Sequence, residues 1–224
     1  MERRNFIKSI GLIGLTFIVN TKTKAYSLTQ NLIFQANEYK SIILTFIKDL
    51  KTEGSNLVKK IMVGKDYVFD PYNHYPYDGG IKDEKTGYQL FFHAHRKNEY
   101  GHFHTFVIDN RGDLIHLVLI SMNENGEPIG LATVNRWVTG DKFVKADVLK
   151  KLSSNFQMDK NLFQDKRVIE SINLIFKAYE EQIHQLFDER DVWIKNYAFN
   201  NFREPFEDRE YEVLSYKSLN DFTD

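Results

Sequence analysis

The chain has 224 residues, with 30 lysines and arginines against 31 aspartates and glutamates, and no cysteine. Without cysteine there are no disulfides, thiolate-held iron–sulfur clusters, cysteine nucleophiles or thiolate zinc sites, so any metal chemistry falls to His, Asp, Glu or Tyr. The charge balance shows no basic stripe of the kind a nucleic-acid binder carries, and 18 Phe with 12 Tyr exclude a disordered chain.

At the start, Arg3, Arg4, Phe6, Ile7 and Lys8 precede an apolar run from Ser9 to Val19. That run is about half the roughly 20 residues needed to cross a bilayer, and Gly11 and Gly14 weaken it as a helix. The segment resembles the twin-arginine export signal of bacteria, an address to be set aside before the fold is considered. The resemblance implies cleavage near Ala25, a periplasmic location, the twin-arginine export machinery as a partner, and passage across the membrane already folded. An ordinary amphipathic helix and an uncleaved anchor are the alternatives; no later stretch is long and apolar enough to give a stable membrane span. Removing residues 1–25 takes away five basic residues and one acidic residue. Residues 26–224 then form a single domain with 25 basic against 30 acidic side chains, a formal charge of −5.

From residue 28 to about 62, Leu32, Phe34, Tyr39, Ile42, Ile43, Phe46, Ile47 and Leu50 recur at helical spacing, and Gly54-Ser55 predicts two helices meeting there. Residues 65–80, with two prolines and a Gly pair, read as an ordered aromatic loop. Four short strands follow: Gly87–His95, His102–Asp109, Leu114–Met122 and Ile129–Trp137. Tight turns at Arg96–Gly101, Asn110–Gly112 and Asn123–Gly126 make them an antiparallel meander. Helical periodicity returns at Lys145, first through Val148, Leu149, Leu152 and Phe156. A longer helix then runs from about Asp165 to Trp193, with Ile169, Ile172, Ile175, Tyr179, Ile183 and Leu186 on a broad apolar face. Glu207–Ser215 alternates charged and apolar residues, as an edge strand does. The class is α+β, with helices at both ends of the sequence and a sheet between them.

Four of the seven histidines lie within twelve residues, as His93-Ala-His95 and His102-Phe-His104. Residues i and i+2 of a strand share a face, so each pair points one way. A register setting His95 opposite His102 and His93 opposite His104 gathers all four imidazoles into one patch. The same register pairs Leu90 with Val107, Phe92 with Thr105 and Ala94 with Phe103 on the far face, and Phe91 with Phe106 beside the histidines. A slip of one residue would separate the pairs. Converging imidazoles suit a divalent transition metal, and Zn, Cu, Fe and Ni are equally compatible. Glu99, in the connection, and His116, on a face the sequence leaves open, are candidates to orient the ligands. A metal-free pocket for acid–base work or anion binding, and a purely structural role, are the competing readings.

The spacing Gly87, His93-x-His95, Glu99 resembles the first motif of the cupin family, in which two histidines and a glutamate hold a metal inside a small β-barrel. The resemblance stops there: Phe106 stands where that motif has glycine, and Thr133 where the second motif has histidine. A broader resemblance is to an uncharacterised bacterial domain-of-unknown-function family. It is carried by His74-Tyr75-Pro76, Phe92-His-Ala-His95, Glu99-Tyr-Gly-His-Phe-His-Thr-Phe106, Leu114-Ile-His-Leu117, Pro128-Ile-Gly130, Asn135-Arg-Trp-Val-Thr139, Glu207-Asp-Arg209 and Glu212-Val-Leu-Ser215. It implies that the histidine hairpin belongs to the plan of the domain, and it brings no activity.

Elsewhere, Arg136 at a strand end is a candidate to hold an anion by its planar fork, or else to pair with an acidic residue while Trp137 enters the core. His74, with Tyr75, Tyr77 and Asp78, lies on a segment able to cover the hairpin, and His184 reads as an ordinary helix residue. No P-loop, GxGxxG, GxSxG or HExxH is present. The expectation is therefore an exported α+β protein with a metal at His93, His95, His102 and His104. Glu99, His116 and Arg136 are its catalytic candidates. It would be either a metal-dependent enzyme or a non-enzymatic binder of a metal or anionic small molecule.

Overall fold

The computed structural model describes residues 29–202 and 204–223. The twin-arginine segment and the cleavage position near Ala25 lie outside these residues. Among the described residues no helix is long and apolar enough to cross a membrane.

The first helix, α1, covers residues 29–52 and ends before Gly54. A short α2 (Leu57–Ile61) follows, its first turn capped by the Asn56 side chain, which accepts from the Lys59 N–H. The 65–80 segment is not wholly loop. It contains an edge strand, β1 (Asp70–Tyr75), and leads into a two-residue β2 (Ile81–Lys82). β1 pairs with β3 through Asp70↔Ala94 and Tyr75↔Phe92, so four residues of β1 bulge over one of β3. That bulge removes the period-two alternation a sequence reading depends on.

The meander itself is β3 (Tyr88–Ala94), β4 (Gly101–Ile108), β5 (Leu114–Met122) and β6 (Pro128–Val134). β6 stops short of Trp137, because Asn135 caps a one-turn helix, α3 (Arg136–Thr139), by accepting from the Arg136 N–H. After α4 (Ala146–Ser154) and a 3-10 turn at Lys160–Leu162, the expected single long helix is two: α5 (Lys166–Ala178) and α6 (Glu180–Asn201). The break falls at Tyr179, which leaves helical geometry at φ −123° and ψ 25°. Its hydroxyl donates to Asp221 at 2.7 Å and Lys40 sits over its ring at 4.7 Å. These are long-range contacts with no Pro or Gly to announce them. The last strand, β7 (Val213–Ser218), is an edge strand against β6, a few residues later than the alternation suggested.

The sheet is one antiparallel path, β1-β3-β4-β5-β6-β7, with β2 beside β3. Among the described residues seven strands stand where a four-strand meander and one edge strand were expected, and the open sheet is not the closed barrel a cupin motif implies. One face carries Tyr88, Leu90, Phe92, Phe103, Leu117, Val118 and Ile120 into the main core, under the helices. Phe156 joins the layers, stacked on Phe176 at 3.9 Å and tilted against Tyr88 at 4.8 Å. Each such fully buried side chain contributes about 1.5–3 kcal/mol.

The opposite face carries the histidines and a small apolar cluster of Leu119, Ala132 and Val134. Arg96, beyond the end of β3, pairs with Glu212, just before β7, at 2.9 Å. Four strand spacings, about 19 Å in a flat sheet, separate those elements. The sheet must therefore curl, and the histidine face is its concave side.

Candidate metal centre

The hairpin register is His93↔His102, Phe92↔Phe103, Phe91↔His104 and Leu90↔Thr105. It differs from the expected one by two residues, a full pleat, so every side chain keeps its predicted face while its partner changes. Gly101 sets the register. A Cβ there would lie 2.3 Å from Phe92 Cζ and 2.6 Å from the His93 carbonyl oxygen, a place only glycine fits. His95 falls beyond the end of β3 and has no partner in the ladder.

The result is a group of four imidazoles, His93, His95, His102 and His104, each offering one nitrogen within 4.8 Å of the others. His102 Nε2 and His104 Nε2 are 3.1 Å apart. Metal–imidazole bonds of 2.0–2.1 Å in a tetrahedron place ligand nitrogens roughly 3.3 Å from one another, so this pair is already spaced for one ion. A separation at the 4.8 Å limit would have to close by roughly 1.5 Å to reach that spacing.

His93 is 7 % exposed and neither of its ring nitrogens has a hydrogen-bond partner. The Pro71 backbone lies nearby without meeting either nitrogen in a hydrogen bond. A buried polar group left unbonded costs about 1–3 kcal/mol, and a cation at the centre of the group would remove that cost.

Two further side chains orient the ligands. Glu99 bonds to His102 Nδ1, and its other oxygen meets Arg96 at 3.3 Å. His116 Nε2 lies 3.0 Å from His104 Nδ1. Glu99 therefore accepts from His102 Nδ1–H and leaves its Nε2 lone pair facing inward. His104 can donate Nδ1–H to His116 and do the same. Carboxylate–histidine and histidine–histidine pairs of this kind fix the tautomer of a metal ligand. Ser121, opposite His102 in the ladder, also hydrogen-bonds Glu99.

His116 reaches this face through a β-bulge. β4 and β5 pair as His104↔Leu119 and then Phe106↔His116, so Leu117 and Val118 together oppose Thr105. The Thr105 hydroxyl fills the bulge, donating to the Val118 carbonyl at 2.7 Å and accepting from its N–H at 3.2 Å. In a regular ladder His116 would point into the main core. Glu99 and His116 thus both meet the cluster. Arg136 lies elsewhere, bonded to Glu207 at 2.6 Å with Phe206 5.2 Å from its guanidinium.

Burial holds the imidazoles neutral. It takes His93 down to about 3 and His116 to about 4, and lowers His102 and His104 well below the ordinary histidine value; neighbouring histidines push His93, His102 and His104 the same way. At His116 the charge of Asp141 opposes the shift. His95 is lowered by burial, with Glu212 and Glu99 pulling the other way. Burial raises Glu99, against the Ser121 hydroxyl and Arg96. Neutral imidazoles are the form that binds metal, so at neutral pH protons compete weakly for the site.

The cover expected from His74 is in place, and two further participants, Ser121 and Glu212, escape a reading of the sequence. His74 is on β1, its ring 4.7 Å from His93 and 4.5 Å from Phe91, and it roofs the cluster. Ser121 faces His102 across the β4–β5 ladder, and Glu212 comes from a loop position that the curl of the sheet brings near. His184 stands apart on α6, its Nε2 3.1 Å from the Ser154 hydroxyl.

No curated protein and no solved structure matches the chain. Its family model does, over residues 37–219: the chain belongs to the family described as Domain of unknown function (DUF6969).

Proposed function

We propose that this is an exported protein that holds one divalent transition metal through His93, His95, His102 and His104, and that the twin-arginine route carries it out with the metal already in place. The observation that supports this most is His93, a buried imidazole with two unbonded nitrogens inside a group of four. Glu99 and His116 act as orienting residues rather than ligands.

Three of the ligands sit on paired strands and are buried, whereas His95 follows the strand and is half-exposed. That asymmetry favours a metal with three fixed ligands and an exchangeable fourth position, the condition for metal-dependent catalysis on a small molecule. Bound there, the metal would supply Lewis-acid or redox chemistry according to its identity. The second reading, a closed four-imidazole site for storage or structure, draws on the closeness of all four nitrogens.

Cobalt(II) titration of the metal-free protein, followed by visible absorption with and without azide, tests the pair. An intense tetrahedral spectrum that azide alters supports the exchangeable position; one that azide leaves unchanged supports the closed site. No cobalt spectrum at all would remove both.

A further inference from the structure

The concave face is closed above the histidines by different chemistry on its two sides. Over His93 the cover is aromatic: the His74 ring lies 4.7 Å from His93 and 4.5 Å from Phe91, and Phe91 stacks on Phe106 at 5.4 Å. A hydrated cation does not cross such a layer cheaply. Over His102 the cover is ionic. Arg96 spans two carboxylates, Glu99 within the sheet hairpin and Glu212 on the segment before β7. Side-chain exposure falls along this row from 34 % at Glu212 to 19 % at Arg96, 4 % at Glu99 and 0 % at His102. The charges facing His95 are these same three, Glu212, Glu99 and Arg96.

The contacts that hold Arg96 are slack. Its approach to Glu99 is 3.3 Å, long beside the 2.7–2.9 Å of a good charge-assisted bond. Its Nε lies 2.9 Å from Glu212 Oε1, yet that oxygen is left without a hydrogen bond, so the pair is close but misaligned. A tightly forked guanidinium in this chain looks different: Arg167 meets both oxygens of Glu53 at 2.6 and 2.9 Å.

We propose that Arg96, held between Glu99 and Glu212, is the gate through which a divalent cation enters and leaves the four histidines. The inference rests on the metal-binding reading above and adds the route. When Arg96 swings out, the way past it to His95 is open. An incoming cation passes to His95 and then to His93, His102 and His104, while Arg96 returns to its carboxylates behind it. The same ion pair closes the site before and after loading, so it governs rates rather than affinity.

The test uses the full chain, metal-free, with Zn²⁺ as the probe, in salt concentrated enough to shrink the screening length to a few Å. Uptake is followed from a chromophoric chelator carrying Zn²⁺, and release by adding excess EDTA to the loaded protein. Arg96→Met and Glu212→Gln should each raise both rates by a similar factor, about five- to tenfold for loss of one such ion pair, with stoichiometry and equilibrium affinity unchanged. Arg96→Lys, which keeps the charge but not the fork, should fall between.

Uptake that rises while release falls would mean that Arg96 acts only by its charge on the bound ion, and would overturn the gate. Unchanged rates in both variants would overturn it too. If Arg96→Met does not fold, Glu212→Gln decides alone. Wild-type protein that binds no Zn²⁺ would instead remove the metal-binding reading itself, and the gate with it.

Discussion

Replacing Thr105 by valine keeps the shape of the side chain and removes its hydroxyl. That hydroxyl is fully buried and makes two bonds to one residue, 2.7 Å to the Val118 carbonyl and 3.2 Å from the Val118 N–H. Both backbone groups lie inside the main core, where an unpaired polar group costs about 1–3 kcal/mol. Thr105→Val should therefore lower stability by about 2–4 kcal/mol in metal-free protein. Urea denaturation should show the midpoint falling by roughly 1–2 M at an unfolding slope near 2 kcal/mol/M. The same change loosens the bulge that turns His116 toward His104, so metal affinity should drop by about ten- to a hundredfold. Thr105→Ser keeps the bonds and should retain most of both properties. A midpoint shift under about 0.3 M, roughly 0.5 kcal/mol at that slope, with affinity intact would refute the argument that Thr105 holds the bulge.

Other outcomes follow from the same geometry. Glu99→Gln keeps an acceptor for His102 Nδ1–H but removes the charge, and should weaken metal binding about ten- to a hundredfold with little change in fold by circular dichroism. Gly101→Ala meets Phe92 and the His93 carbonyl at 2.3 and 2.6 Å; the loss should reach about 3 kcal/mol in thermal denaturation, with metal binding lost as well. His116 ionises near pH 4 when folded and near 6.5 when unfolded. The unfolded chain thus binds more protons between those values, and this part of the stability is present above pH 6.5 and disappears as the pH falls toward 4. It amounts to about 3 kcal/mol, and in denaturation curves of metal-free protein at pH 7 and pH 4.5 the His116→Asn variant should show a distinctly smaller loss than wild type.

The class of fold and the four candidate ligands are legible in the chain because both rest on local signals. The HxH spacing fixes a face, and that face survives a two-residue change of register, since side chains repeat every second residue. Partners are not local. Which residue opposes His93 depends on the crowding of Phe92 against Gly101. His116 is hidden from pattern reading because a bulge inverts its face, and Thr105 looks like any strand threonine. β1 is obscured for a related reason: four residues arch over His93 and break the alternation. The break at Tyr179 needs Asp221 and Lys40, far away in sequence. Arg136 illustrates the converse: its fork does hold a carboxylate, but that of Glu207.

The most direct measurement is elemental analysis of the protein recovered after export from its native host, beside a His93→Ala/His104→Ala double variant. The wild-type chain should carry about one transition-metal ion, as a single four-imidazole set holds, and the variant close to none. Equal metal in both, or none in the wild type, would contradict metal binding by the four histidines.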